Sequence, residues 1–138
     1  SCKFENAMLK ETSFQEVTFI DCKLLGIDFS VCNDFLFSVV FEYCNLDYTS
    51  FYGFAMKNTS FIGGSLKHAD FTATNLTGTI FDRIDLSNAV FERTIADKVD
   101  FRTAESFRID PENNTLKKAK FKTSDLGGLL SKYDLIIE

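Results

Sequence analysis

Large apolar residues recur at every fifth position along most of this chain. In the stretch from 65 to 91 they are Leu66, Phe71, Leu76, Phe81, Leu86 and Phe91. An α-helix buries residues at spacings of three and four, and a strand buries every second residue, so a spacing of five suits neither element. The pattern predicts a repeated five-residue unit in place of ordinary helices and strands.

The five-residue register is unbroken from Phe41 to Phe101, where Ala96 takes one of the large positions. Upstream, the same interval runs from Phe4 to Phe29 in a different phase. About two extra residues must therefore enter between the two runs, and we predict a bulge near residues 30–40.

A second, smaller residue precedes each large one by two positions, as at Cys22, Cys44, Thr49 and Ala69. The residue between them is often Asp, Asn or Ser, whose short side chains bond nearby backbone and favour turns. Each unit is therefore predicted to be a short extended piece with two inward side chains, followed by a corner.

The superperiod of the large residues predicts the number of sides in each coil. At an offset of twenty residues Phe matches Phe, as at Phe41, Phe61, Phe81 and Phe101, whereas at fifteen Phe falls on Leu. A two-sided coil would leave no interior for phenylalanine. Four sides per coil is the prediction, and stacked coils of this kind bond to one another through their backbones.

The pentads at 69–73, 74–78 and 84–88 read ADFTA, TNLTG and IDLSN. They resemble the pentapeptide repeat proteins, whose loose consensus is Ala, Asp or Asn, Leu or Phe, and two free positions. The resemblance covers residues 1–106. It implies an all-β solenoid, a right-handed quadrilateral β-helix with inward stacks of Phe and Leu.

Residues 107–138 depart from the pattern and are predicted to form a capping and dimerisation module with a short α-helical cap. Asp110, Pro111 and Glu112 have the signature of a helix start, and Ser124 or Asp125 could cap a final helix. Leu116, Phe121 and Leu126 return to the repeat phase, and the tail DLIIE is predicted to be a strand.

A similarity to the quinolone-resistance (Qnr-type) members implies that this module joins two chains into a rod-like homodimer. The alternative is a tail that folds on its own chain in a monomer. The candidate dimer contacts are Leu129, Leu130, Tyr133, Leu135, Ile136 and Ile137.

Residues with catalytic or metal-binding chemistry are sparse. The four cysteines contain no close pair, His68 is the single histidine, and it has no neighbouring nucleophile. We expect no metal, cofactor, disulfide or catalytic site. No apolar run is long enough for a membrane helix, so we expect a cytoplasmic protein.

The charge is unevenly distributed. Residues 1–56 hold three lysines and eight acids, a net of minus five, which equals the net charge of the whole chain. A negative rod disfavours direct nucleic-acid binding. Qnr-type relatives are thought to resemble duplex DNA and engage DNA gyrase or topoisomerase IV; here the candidate acids are Glu5, Glu11, Glu16, Asp21, Asp28 and Glu42. The alternative is an acidic surface that serves solubility alone.

Aromatic residues cluster at nominally outward positions around the bulge and in the next coil: Phe35, Phe37, Tyr43, Tyr48 and Tyr52. Clustered exposed aromatics often mark a partner site. The alternative is a bulge that folds back and buries its own aromatics. The first functional hypothesis is a non-enzymatic interaction scaffold whose outer surface binds a protein partner, and the second is DNA mimicry toward a type II topoisomerase.

Overall fold

A computed structural model describes Lys3 and residues 9–138 as a parallel-stranded solenoid. Its sheet has four strands in chain order, β1 (Val17–Ile20), β2 (Val39–Asn45), β3 (Ser60–Ser65) and β4 (Ile80–Asp82). Short 3₁₀ helices lie at Phe29–Val31, Thr123–Leu129 and Ser131–Tyr133. These elements form the four-sided coil that the superperiod predicts.

The pairing register confirms four sides of five residues. In β2 and β3, Phe41 pairs with Phe61, and in β3 and β4, Phe61 pairs with Phe81, so the offset is twenty residues. Further parallel pairs with the same offset, such as Asp70 with Val90, join the other sides. We number the sides by their inward residues: side 1 carries Phe41 and side 2 Leu46, followed by Phe51 on side 3 and Met56 on side 4.

The bulge is confirmed and its position is narrower than predicted. Ser13 pairs with Asn33 at an offset of twenty, whereas Val17 pairs with Val39 at an offset of twenty-two. The two extra residues therefore enter between Asn33 and Val39. We call the segment 34–38 the bulge.

The core consists of two stacks of phenylalanine rings on opposite sides of the coil. On side 1, adjacent rings from Phe19 to Phe121 lie 5.0 to 5.5 Å apart, and on side 3 the rings from Phe29 to Phe91 lie 4.9 to 5.3 Å apart. The two stacks meet edge-to-face, as at Phe51 and Phe61. Leucine, methionine and alanine fill sides 2 and 4 between them, except in the first coils of side 4, where Phe14 and Phe37 lie.

The corners depend on residues in the left-handed backbone region. Most pentads place a positive φ two residues after the large side chain, for example at Tyr48 (59°) and His68 (59°). The amide of Tyr48 donates to Lys67 O at 2.9 Å in the next coil, so the strained residue still makes its backbone bond. The predicted Asx turns form as well, since Asp70 Oδ1 accepts from Thr72 N at 2.9 Å.

The carboxy-terminal cap differs from the prediction in three respects. Asp110 Oδ1 accepts from Glu112 N at 3.0 Å as a cap would, but no helix follows, because the chain returns to pair Thr115 with Ile95. The final helices are 3₁₀ in geometry, and the first has Lys122 at its N-cap with no side-chain bond. The tail 134–138 forms no strand.

The return of the repeat phase after residue 110 is partly confirmed. Leu116, Ala119 and Phe121 are half-buried against the core, whereas Leu126 is 41% exposed and does not point inward. The helix Thr123–Leu129 closes the end of the core, where Gly128 O accepts from Ile109 N at 2.9 Å. The division into 1–106 and 107–138 stays a prediction.

Cys22 and Cys44 occupy the inward small positions that their spacing predicts, but one expectation about the cysteines is wrong. Cys32 and Cys44 are buried free thiols, and Cys22 is buried and disulfide-bonded, although no disulfide was expected. Burial raises the pKa of the Cys32 thiol to about 11, with a smaller contribution from Asp28. Cys2 lies outside the described residues.

Candidate partner-binding surface

Four of the five predicted surface aromatics are exposed. Phe35 is 69% exposed, and Tyr43, Tyr48 and Tyr52 are 53 to 62% exposed. Tyr43 and Tyr48 stand at consecutive corners of one coil, at either end of side 2, and Tyr52 lies on the outer surface of side 3. The structure therefore places three tyrosines around two corners of the same coil.

Phe37 is a correction, because it is buried at 8% exposure. Its ring packs edge-to-face on Phe54, with centroids 4.9 Å apart, and also contacts Phe14. Asp34, which the five-residue spacing would place inward, instead accepts a hydrogen bond from Ala55 N at 3.1 Å. The two extra residues thus let Phe37 enter the core at the position that Asp34 would have taken.

The tip of the bulge presents Phe35 together with Leu36, an apolar residue outside the predicted aromatic cluster. Leu36 is 62% exposed and has a φ of 56°. Asn33 Oδ1 accepts from Phe35 N at 2.9 Å, and Phe37 N donates to Asp34 O at 3.2 Å, so the bulge is a closed turn. The bulge therefore buries the ring of Phe37 and exposes the ring of Phe35.

Two of the tyrosine rings are held in place by the residue twenty positions later. Tyr48 stacks on His68 with ring centroids 4.7 Å apart and an interplanar angle of 5°. Tyr43 lies against Gly63, where a Cβ atom would stand 2.5 Å from the ring. The sequence drew attention to His68 only as the single histidine, without a neighbouring nucleophile; its spacing of twenty residues from Tyr48 was the signal that could have added it to the surface.

Arg83 completes the column of corners that contains Tyr43 and Gly63. Its Nε donates to Asp82 Oδ1 at 3.3 Å, and hydrogen bonds with Asp82 and then with Tyr43 raise the pKa of the guanidinium. Thr103 Oγ1 donates to the same Asp82 Oδ1 at 2.8 Å, and this bond contributes most to lowering the pKa of that carboxyl. One edge of the tyrosine surface is therefore bounded by a charged network.

The candidate acids do not form a single stripe. Glu11, Glu16 and Asp21 are exposed at three successive corners, each with a φ between 53° and 61°. Asp28 lies on side 3, where its Oδ1 accepts from Ser30 N at 2.9 Å. Glu42 lies on side 1 in β2, and Glu5 lies outside the described residues.

The candidate dimer contacts are largely exposed. Leu130, Tyr133, Leu135, Ile136 and Ile137 are 36 to 88% exposed, whereas Leu129 is half-buried against the core. The tail is tied to the turn at Asp110, because Tyr133 Oη donates to Glu112 Oε1 at 2.7 Å. Lys132 Nζ lies 3.2 Å from carboxylate oxygens of both Asp110 and Glu112, so the apolar tail extends from a fixed base.

The described residues contain no group of three or more potential metal ligands. None of their helices is long and apolar enough to span a membrane.

Family models match nearly the whole repeat region. The model for the pentapeptide repeat region matches residues 1–71, and a model of eight pentapeptide repeats matches residues 69–104. The chain therefore belongs to the pentapeptide repeat family, and the predicted right-handed quadrilateral β-helix is confirmed. No curated protein sequence matches it.

Solved structures of the same fold cover most of the chain. Trypsin-treated QnrB1, a plasmid-mediated fluoroquinolone resistance protein, matches with a TM-score of 0.66 and 19% identity over 100% of this chain and 66% of its own. HetL, a pentapeptide repeat protein involved in heterocyst differentiation regulation from the cyanobacterium Nostoc sp. strain PCC 7120, has a TM-score of 0.58 and 19% identity, with 86% and 56% covered.

Full-length QnrB1 matches with a TM-score of 0.55 and 17% identity over 97% of this chain and 74% of its own. This chain thus spans 66% of the QnrB1 chain and 56% of the HetL chain in the first two matches. At these identities the likeness concerns the fold.

Proposed function

We propose that this protein is a non-enzymatic interaction scaffold that binds a protein partner through the surface formed by Tyr43, Tyr48, Tyr52 and His68. The observation that carries the proposal is the exposed stack of Tyr48 on His68, 4.7 Å apart, beside two further exposed tyrosines. We call these four residues the aromatic surface. Phe35 is exposed on the bulge after side 4 and lies apart from this surface.

Rigidity is what makes this surface suitable for binding. Tyrosines are enriched among residues that dominate interface energies, and a ring already held in one orientation loses little entropy when a partner arrives. The Tyr43 ring lies against Gly63, and the Tyr48 ring stacks on His68. The binding energy is therefore not consumed in ordering these side chains.

The filled interior supports the non-enzymatic part of the proposal. Catalysis needs a pocket in which a positioned group reaches a substrate, whereas Phe51, Phe61, Phe71 and Phe81 occupy the middle of the coil with at most 1% exposure. Side chains on the outer surface can still contact another macromolecule. The scaffold role uses the part of the molecule that the repeat leaves variable.

Site-specific photo-crosslinking in the native host tests this proposal. A photoreactive phenylalanine analogue is placed at Tyr48 or Tyr52, and at Val90 or Ile95 as similarly exposed controls. We expect one protein to be captured from the two tyrosine positions and not from the controls, and its capture to be lost in a Tyr43→Ser, His68→Ser background. Equal capture at all four positions would contradict the proposal.

A second candidate function is modulation or protection of DNA gyrase or topoisomerase IV by DNA mimicry. It is supported by the net charge of minus five and by the exposed acids Glu11, Glu16 and Asp21. The likeness to QnrB1, a fluoroquinolone resistance protein, makes it worth testing. The position of these acids on separate corners is less favourable to DNA mimicry, since a DNA mimic presents negative charge along the whole rod.

A gyrase supercoiling assay with and without ciprofloxacin tests the second candidate. DNA mimicry predicts inhibition or drug protection at micromolar protein, and weakening of the effect when Glu11→Gln, Glu16→Gln and Asp21→Asn are combined. If the unaltered protein neither inhibits nor protects, the second candidate is wrong and the scaffold proposal is unaffected.

The proposed setting of the protein is the cytoplasm, without direct nucleic-acid binding and without membrane attachment. A homodimer joined through Leu130, Tyr133, Leu135, Ile136 and Ile137 is part of the same proposal, and their exposure supports it. The variant Ile136→Ser with Ile137→Ser should abolish that dimer in sedimentation velocity experiments.

A further inference from the structure

Side 1 of the solenoid carries an unusual outward surface. Its outward residues lie directly before and after each inward phenylalanine, and they include Ile20 and Ile80, which are 50% and 43% exposed. Val40 and Ile62 lie between them in the sheet and are half-buried. The equivalent positions of side 2 around Leu46, Leu66 and Leu86 are all polar. Side 1 therefore has an apolar middle that side 2 lacks.

Charge changes sign along this side. We number the coils by the rings of the side 1 stack, from level 1 at Phe19 to level 6 at Phe121. The flanking corners and outward residues of levels 1 to 3 hold the acids Glu16, Asp21 and Glu42 and no base. Those of levels 4 to 6 hold two acids and six bases: Asp82, Arg83, Lys98, Asp100, Arg102, Lys118, Lys120 and Lys122. The two halves carry minus three and plus four.

Such a surface is complementary to itself when one copy is turned end for end. A two-fold axis along the strand direction, between levels 3 and 4, brings level 2 opposite level 5 and level 1 opposite level 6. Coils are spaced by about 4.8 Å, so this register aligns every level. Glu42 then faces Arg102 of the second copy, and Glu16 faces Lys118. At the centre, Ile62 faces Asp82 of the second copy and lies one coil from the second copy's Ile62, and Ile80 faces Ser60 and lies one coil from the second copy's Ile80.

We propose that two copies of this chain associate side by side, in antiparallel orientation, through side 1. Each contact occurs twice in such an isologous arrangement, so one pair of complementary charges counts double. The parallel arrangement would instead bring like charges together at both ends, which is unfavourable. The change of charge along side 1 therefore favours a second copy of the chain, in antiparallel orientation, as the partner of this surface.

This interface is separate from both surfaces of the proposed function. The aromatic surface begins at the corner between sides 1 and 2, and the tail residues Ile136 and Ile137 lie beyond the last level. Of the aromatic surface, Tyr43 alone borders side 1. Substitutions at Tyr48, Tyr52 or the tail therefore test the proposed function without changing the outward residues of side 1.

A matched pair of isoleucine substitutions tests the centre of the interface. Ile80 on side 1 and Ile95 on side 4 are each the residue before the inward one, with exposures of 43% and 41%. All of these measurements use the Ile136→Ser, Ile137→Ser protein, so that the proposed tail dimer does not contribute. We expect this protein to dimerise reversibly in sedimentation equilibrium experiments, Ile80→Asp to raise its dimer Kd at least about tenfold, and Ile95→Asp to leave that Kd unchanged. Thermal melts confirm that both variants remain folded.

Charge reversal tests the orientation. Glu16 and Lys118 are exposed corner residues, and neither forms an ion pair within the described part of the chain. Glu16→Lys and Lys118→Glu should each weaken the dimer, and the double variant should restore it, because the two residues face each other across the two-fold axis. Raising the salt concentration should weaken the unaltered dimer.

Three results would overturn the proposal. One is an Ile136→Ser, Ile137→Ser protein that stays monomeric up to about 1 mM, above the Kd of a weak transient interface. Another is a dimer of that tail variant that Ile80→Asp leaves intact, which places its interface away from side 1. The third is a charge-reversal double variant that is weaker than either single variant, which excludes the antiparallel register.

Discussion

At the scale of single residues, Phe35 and Phe37 show how a two-residue insertion divides neighbouring side chains between core and solvent. Both sit at outward positions by the five-residue count, yet Phe37 packs on Phe54 and Phe14 while Phe35 is 69% exposed. The sequence left both outcomes open, because the spacing says how many residues are extra but not which of them turns inward. That choice depends on the space beside Phe54.

The two phenylalanines make a matched pair of substitutions. Phe37→Ser should lower the free energy of unfolding by about 3–5 kcal/mol, since it removes a buried ring, and Phe35→Ser should change it by less than about 0.5 kcal/mol. Urea denaturation followed by circular dichroism measures both values. Equal losses for the two variants would show that Phe35 is also part of the core.

At the scale of elements, glycines at the corners and directly beside them meet the strictest backbone requirement of the repeat. Gly64, which pairs with Cys44 in the sheet, has a φ of 86°, and a Cβ atom there would overlap the Cys44 carbonyl oxygen. Gly53 stands at a corner with a φ of 63°, where a Cβ atom would meet nothing within 4 Å. The two glycines look alike in sequence and differ in what surrounds them.

Alanine substitutions distinguish the two glycines. Gly53→Ala should cost about 1 kcal/mol for the left-handed conformation alone, whereas Gly64→Ala should cost about 2–3 kcal/mol or more, because β2 and β3 must also move apart. Thermal unfolding of both variants under the same conditions gives the comparison. A Gly64→Ala protein as stable as Gly53→Ala would contradict the close approach.

Asp100 lies beside the last strand, and its ion pair with Arg102 makes the stability of this part of the fold depend on pH. Arg102 donates to it from Nε at 3.0 Å and Nη2 at 2.9 Å, and this bond contributes most to lowering the pKa of the carboxyl below its ordinary 3.8. Because the folded pKa is the lower one, the unfolded chain binds the proton first as the pH falls. The stabilisation is present above pH 3.8 and is lost as the pH falls toward the folded pKa.

The prediction compares the unaltered protein with Asp100→Asn. The unaltered protein should have the higher melting temperature at pH 7, and the difference should shrink as the pH falls below 3.8 toward the lowered pKa of the folded state. Thermal scans at several pH values check this, with Asp125→Asn as a control whose carboxyl accepts no side-chain bond from a base in the described structure. A difference that is constant with pH would contradict the role of the ion pair.

At the scale of the whole molecule, the continuous phenylalanine stacks make each coil depend on its neighbours. Phe81 touches rings above and below it, at 5.3 and 5.4 Å, whereas Phe121 ends its stack on Phe101 at 5.0 Å and is half-buried. Repeat proteins are stabilised through such nearest-neighbour contacts. A defect in the middle therefore affects two interfaces, and a defect at the end affects one.

Substitution of the two rings tests this dependence on position. Phe81→Ala should lower the free energy of unfolding by about 3–5 kcal/mol, and Phe121→Ala by about 1–2 kcal/mol. Urea denaturation monitored by circular dichroism, with hydrogen exchange along the chain, gives both the size and the location of the effect. Similar losses for the two variants would show that the cap buries Phe121 more fully than its half-buried position implies.

The repeat itself was determined by the sequence. Five-residue spacing, the twenty-residue superperiod and the Asp or Asn turn positions predicted the sides, the inward rings and the bulge, because a repeated local pattern requires the same backbone in every unit. The prediction failed at the carboxy-terminal end, where Asp110 and the tail have the signals of a helix and a strand. Those signals concern local preference, whereas pairing of Thr115 with Ile95 decides the path.

The outer surface was decided by the tertiary structure. Tyr48 and His68, twenty residues apart, become a stack only because one coil lies on the next, and Glu16 and Lys118 come to lie on one side only because the coils repeat in register. The interior of the solenoid follows from nearest neighbours in sequence. Its surfaces are assembled from residues that are distant along the chain, which is why the fold could be predicted from the sequence and the geometry of its binding surfaces could not.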